Sequence, residues 1–152
     1  ILWTIFITDF DSGGGGLIST AYDYMIFAES LRNGGEFKGK RILGEKTLKY
    51  MVKNHLPPTV RGIGRGESPT DPSVAARTFG LGFGISNNPP VASVIGSKGS
   101  YSWGGAAGTI FWVDPVEDLV VVSMIQLMRS PWTLRNDLRV ATYQSLTESN
   151  EW

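Results

Sequence analysis

The run Tyr101-Ser102-Trp103-Gly104-Gly105-Ala106-Ala107-Gly108-Thr109 is the stretch of this sequence best suited to chemistry. A succession of small residues leaves backbone N–H groups bare where larger side chains would screen them. Bare, preorganised N–H groups are what an oxyanion needs as it develops on an attacked carbonyl. The same run also suits a glycine-rich strand entry beside an aromatic core residue, and residue types alone leave both readings standing.

The other candidates carry less. Gly13, Gly14, Gly15 and Gly16 lack the Lys-Ser or Lys-Thr that completes a phosphate loop, and lack the spacing of a dinucleotide fingerprint, so they read as a packed turn. His55 is the single histidine and sits where a helix meets Pro57-Pro58, which favours a helix-end or surface role over general-base work. Asp9 with Asp11, and Asp114 before Pro115, read as loop and turn residues. With no cysteine there is no thiolate nucleophile, no disulfide framework and no Cys-based metal site, and no cofactor is implied.

Composition narrows the classes further. Lys plus Arg and Asp plus Glu are 14 each, so no net field steers the chain toward nucleic acid. Five Trp, five Tyr and seven Phe supply large side chains for a packed core. No apolar run reaches the roughly 18 residues of a membrane span.

The elements that must hold the 101–109 run follow from periodicity. Thr20 with Asp23 has a capping-box spacing, and Leu17, Ala21, Met25, Ala28 and Leu31 recur at helical spacing, which predicts a helix over about 20–33 closed by Asn33-Gly34-Gly35. A polar hairpin-like stretch leads to a second helix over about 44–54, and the region 59–73 reads as a surface loop. Phe79, Leu81, Phe83 and Ile85 alternate with glycines, the pattern of one strand with a glycine face that another element can approach. Apolar runs at 109–113 and 119–124, joined by five residues, predict an antiparallel hairpin covered on both faces. Leu134, Leu138, Ala141 and Ser145 recur at helical spacing, with Val140 and Leu146 enlarging the face, which predicts a final helix over about 133–147. The order of elements gives an α+β domain, an antiparallel sheet flanked by helices.

Ser12-Gly13-Gly14-Gly15-Gly16-Leu17, Ser19-Thr20 with Asp23-Tyr24, and Asn33-Gly34-Gly35 resemble segments of β-lactamase-like serine hydrolases. Phe79-Gly80-Leu81-Gly82-Phe83, the Trp103–Thr109 run and Phe111-Trp112-Val113-Asp114-Pro115 continue the likeness in the same order over nearly all of the chain. The similarity is strongest to esterases that resemble class C β-lactamases, the family VIII carboxylesterases. In that group Trp-Gly-Gly stands in place of the Lys-Thr-Gly of β-lactamases, and Trp103, Gly104 and Gly105 match it one by one. The resemblance implies that Ala106 gives a backbone N–H to the oxyanion hole, that Gly104 and Gly105 line the site edge, and that Tyr101 and Trp103 contact a small acyl substrate.

It also implies a reaction. The Ser of a Ser-x-x-Lys motif attacks the carbonyl, a Tyr motif assists, and water releases the acyl-enzyme. No serine here begins Ser-x-x-Lys, Ser97-Lys98 has the wrong spacing, and Tyr101-Ser102-Trp103 is not the Tyr motif. The expectation is therefore a carboxy-terminal part of a β-lactamase/transpeptidase-like fold, inactive alone, whose partner is the missing amino-terminal portion of the same domain. Trp103 in place of Lys favours carboxylic esters over β-lactams, with a noncatalytic module of the same fold as the rival.

Overall fold

The computed structural model describes residues 18–64, 72–128, 133–148 and 150. The first element, α1 (Ala21–Arg32), starts where Thr20 leaves helical geometry at φ −109 and ψ 159. The Asp23 N–H donates to Thr20 Oγ1 at 3.1 Å and the Thr20 hydroxyl donates back to Asp23 Oδ2 at 2.8 Å. This satisfies an N–H that the first helical turn leaves orphaned. The helix stops in a Schellman arrangement: Gly34 N–H donates to Leu31 O, and Gly35 N–H to Ser30 O at 2.7 Å. Gly34 and Gly35 both take positive φ, and a Cβ on Gly35 would lie 2.2 Å from Leu43 O, so a glycine is required there.

A small hairpin, β1 (Glu36–Phe37) with β2 (Lys40–Arg41), leads into α2 (Glu45–Met51). This helix ends three residues before the predicted 54 because the chain beyond it bonds elsewhere. Leu81 N–H takes the Met51 carbonyl at 2.8 Å, and His55 N–H donates to Phe79 O at 2.8 Å. Those bonds anchor the chain after α2 on the segment that follows α3 (Pro72–Ala75).

That segment corrects the single strand predicted over 79–85. It is a hairpin of β3 (Arg77–Phe79) and β4 (Gly84–Ser86), registered Arg77↔Ser86, Thr78↔Ile85 and Phe79↔Gly84. Gly80 N–H donates to Phe83 O, Gly82 takes φ +94, and Leu81 is exposed at the tip. A glycine-interrupted apolar alternation is common to a strand and to a tight reversal, and the reversal wins because α2 abuts it. A Cβ on Gly80 would sit 2.1 Å from Met51 O. Gly80→Ala is therefore expected to destabilise the protein by about 1–3 kcal/mol, read as a lowered urea midpoint at unchanged slope.

The main sheet continues with β5 (Tyr101–Gly104), β6 (Gly108–Asp114) and β7 (Leu119–Gln126), in the all-antiparallel order β3-β4-β5-β6-β7. Phe111, Trp112, Val113 and Asp114 are all buried, so the second half of β6 is covered on both faces as predicted, whereas β7, expected to be covered likewise, has no buried residue and leaves Met124 exposed. Phe111 and Val113 pack with Ala28, Leu31, Phe83 and Tyr101 on the side of α1. Trp112 points the other way, beneath α4 (Leu134–Gln144), where the Arg139 guanidinium lies 4.5 Å from its ring centroid. The sheet is therefore flanked by a helix on each face.

Of the apolar positions read for the last helix, Leu134, Val140, Ala141 and Ser145 are exposed and Leu138 and Leu146 half-buried, and the only buried residue of α4 is Arg139. Arg135, Arg139 and Tyr143, spaced four residues apart, form the stripe that meets the sheet. Their long stems cover apolar surface while their polar tips reach fixed partners.

Candidate active site

The hairpin joining β5 to β6 closes through residues 105–108. Gly105 N–H donates to Thr109 O at 3.0 Å and Gly108 N–H to Gly105 O at 3.1 Å. Gly108 takes φ +94, so the loop is three residues long and ends in the left-handed conformation that such loops reserve for glycine. Ala106 is the first residue of that loop. It is exposed, and among the described residues its N–H has no hydrogen-bond partner.

Strand geometry says where that N–H points. Bonding groups along a strand alternate sides, and Gly105 bonds toward β6, so the N–H groups of Gly104 and Ala106 face away from it. On that outer side β4 pairs with β5 only at Gly84↔Ser102 and Ile85↔Tyr101. Beyond Ser102 the edge of β5 is open among the described residues. A Cβ on Gly104 would stand 2.7 Å from Thr109 O, and one on Gly105 2.5 Å from Thr109 Oγ1, so the two glycines let the loop close tightly.

The aromatic residues take different places. Trp103 is 47% exposed, its ring edge-to-face with Phe79 at 4.9 Å between centroids. It separates a cavity of about 790 Å³, walled by Tyr24, Phe111, Thr109 and Met124, from one of about 600 Å³ on the α4 side. Tyr101 is 3% exposed and packs on Phe83. Burial pushes its phenol well above the ordinary tyrosine pKa, so it stays protonated at neutral pH. Ala106 borders a third cavity of about 620 Å³ with Gly105, Leu127 and Asn136. Arg77 and Arg135 line both cavities on the α4 side, and neither lining includes a carboxylate among the described residues.

Below the site lies a polar layer that the sequence reading did not find. The fully buried Asp114 carboxylate accepts from the Ser97 N–H at 3.0 Å, the Val116 N–H at 3.1 Å and the Tyr143 hydroxyl at 2.5 Å. Burial raises the Tyr143 pKa, and its hydrogen bond to Asp114 raises it further. Burial lowers that of the Arg139 guanidinium, while Asp114 and Tyr143 act the other way. Asp114 is thus the anchor of β6 on α4 as well as a turn residue. The one available signal was the four-residue spacing of Arg135, Arg139 and Tyr143.

His55 donates its Nε2–H to the Tyr50 carbonyl, 2.8 Å away, and its ring lies edge-on to the Tyr50 ring. It therefore sits at the carboxy end of α2. Among the described residues no group of acidic or histidine side chains is arranged to hold a metal, and no helix is long and apolar enough to cross a membrane. Asp9, Asp11, Ser12, Leu17 and the four glycines between lie outside the described residues.

A five-stranded antiparallel sheet between helices, with a Trp-Gly-Gly strand ending in a bare N–H, defines a β-lactamase-like architecture. The beta-lactamase family profile matches residues 3–144, and the chain belongs to that family. Protein Rv1367c of Mycobacterium tuberculosis is 32% identical over 120 residues, which are 77% of this chain and 29% of that protein. Among solved structures, EstCE1, a hydrolase with promiscuous acyltransferase activity, superposes with a TM-score of 0.60 at 22% identity, over 80% of this chain and 28% of that one. The unliganded simvastatin synthase LovD of Aspergillus terreus gives 0.56 at 23% identity, over 81% and 34%. The chain spans less than a third of the length of Rv1367c and of EstCE1.

The family match overturns one expectation. It runs over residues 3–144, almost the whole chain, and does not single out a carboxy-terminal portion of the fold. The reading as a carboxy-terminal part only, and with it the missing amino-terminal portion as a partner, is corrected accordingly. Its weakness was to weigh short absent motifs above the pattern of apolar, glycine and turn positions, which sheet and helix packing spread along the entire match.

Proposed function

We propose that this chain supplies the oxyanion-side strand and a pocket wall of a serine hydrolase that cleaves small carboxylic esters through an acyl-enzyme. The observation that carries the reading is the unpartnered Ala106 N–H at an open strand edge beside Trp103, Gly104 and Gly105. When a serine oxygen attacks an ester carbonyl, charge moves onto the carbonyl oxygen. An N–H already aimed at that point stabilises the tetrahedral species without reorganising. Trp103 offers an apolar face to the acyl or alcohol group, with Phe79 bracing its ring and Tyr101 packed in the core behind the same strand. Family membership and the likeness in fold to EstCE1 support acyl chemistry. Trp103 in the place of the lysine of Lys-Thr-Gly removes a positive charge useful for a β-lactam carboxylate, which favours esters. No serine of this chain is assigned as nucleophile.

The test uses the full-length protein and p-nitrophenyl butyrate. Intact-mass measurement is expected to show one added butyryl group on a serine during turnover. A folded protein that neither forms the adduct nor releases nitrophenol would overturn the hydrolase reading in favour of a noncatalytic module. Trp103→Ala is expected to raise KM for the same ester about 5-fold, with kcat within about 2-fold, because the lost contact is apolar and equal in ground and transition states. Steady-state kinetics with acetate and butyrate esters checks it, the longer chain losing more.

A further inference from the structure

Arg135 reaches from the first turn of α4 to the loop that carries Ala106. Its Nη2 donates to the carbonyls of Gly105 and Thr109, the latter at 3.0 Å, and its Nε to that of Gly108 at 3.4 Å. The Gly105 carbonyl and the Ala106 N–H are the two ends of one planar peptide unit. A cation held on the oxygen therefore fixes the plane in which the N–H lies, and draws electron density away from that N–H so that it donates more strongly. Gly104 admits the guanidinium, since a Cβ there would lie 3.1 Å from Nη2.

We infer that Arg135 is a positioning residue for oxyanion stabilisation, acting through the Gly105–Ala106 peptide. This role rests on the assignment of the Ala106 N–H as oxyanion donor. The bonds to Gly108 and Thr109 hold the rest of the three-residue loop, so one side chain sets both the direction and the strength of the donor. The five donors of a guanidinium arrayed in a rigid fork suit this clamp, whereas a lysine brings the charge to a single point.

The experiment is a double-mutant cycle in the full-length protein, crossing Arg135→Gln with Ala106→Pro and reading kcat and KM for p-nitrophenyl butyrate. Arg135→Gln is expected to lower kcat about 10-fold with KM within about 2-fold. Arg135→Lys is expected to recover part of the loss, since it keeps the charge. In the Ala106→Pro background, which has no N–H to position, Arg135→Gln is expected to change kcat by less than about 2-fold. Equal losses in both backgrounds would mean a general packing role and overturn the inference, as would an inert Arg135→Gln beside an effective Ala106→Pro. An Ala106→Pro without effect would overturn the oxyanion assignment itself, and this role with it. Circular dichroism and unfolding midpoints matching the parent show that each comparison is made between folded proteins.

Discussion

Replacing Ala106 by proline in the full-length protein is expected to lower kcat for an activated ester by about 100- to 1000-fold while leaving KM nearly unchanged. Proline is chosen because it removes the N–H and little else. Ala106 opens a three-residue hairpin loop, a position where the fixed φ of proline is well accommodated. The preceding Gly105 follows directly on the end of β5, and as a glycine it can take the extended backbone that proline asks of its neighbour. The bonds Gly105 N–H to Thr109 O and Gly108 N–H to Gly105 O do not involve the deleted group. Stopped-flow acylation isolates the step: the acylation rate should fall by the same factor as kcat/KM. Ala106→Gly, which keeps the N–H, is the control and should retain most activity. A proline variant with parental rates would show that no oxyanion is held at this edge.

Asp114→Ala carries the largest expected stability effect, about 3–5 kcal/mol. The carboxylate is fully buried and accepts from two backbone N–H groups within 3.1 Å and from the Tyr143 hydroxyl. Truncation leaves those donors without their acceptor around a fully buried position, and it removes a negative charge that favours the charged form of the buried Arg139. Urea unfolding of the variant and its parent measures the loss directly. Tyr143→Phe, which deletes one partner and keeps the acceptor, should cost only about 1–2 kcal/mol. Comparable losses for the two would indicate that the backbone bonds at Asp114 contribute little.

The parts of the fold that were legible in the sequence are those encoded locally. Thr20 and Asp23 announce the start of α1, Gly34 and Gly35 its end, and the apolar runs flanking Pro115 give the β6–β7 hairpin. The β3–β4 hairpin was hidden because alternating glycines and aromatics satisfy a strand and a reversal equally, and only the approach of α2 decides between them. The packed face of α4 was hidden for a different reason. Hydrophobic periodicity scores Arg135, Arg139 and Tyr143 as polar, yet their partners are carbonyls and a carboxylate 26 to 44 residues away in sequence, on β6 and on the connection before β5. At the site, small residues after an aromatic point to Ala106 as a bare donor. Nothing local points to Arg135, because backbone carbonyls leave no trace in residue types.

The manner in which α4 is held has a consequence for how this region tolerates change. Greasy helix faces can slip past one another because many neighbouring registers bury similar area. Here three polar teeth, one turn apart, each engage a different socket on the sheet. Advancing the helix by a single residue would disengage all of them together, so insertions and deletions flanking α4 have to be taken up outside it, and the 105–108 loop keeps its alignment through such changes.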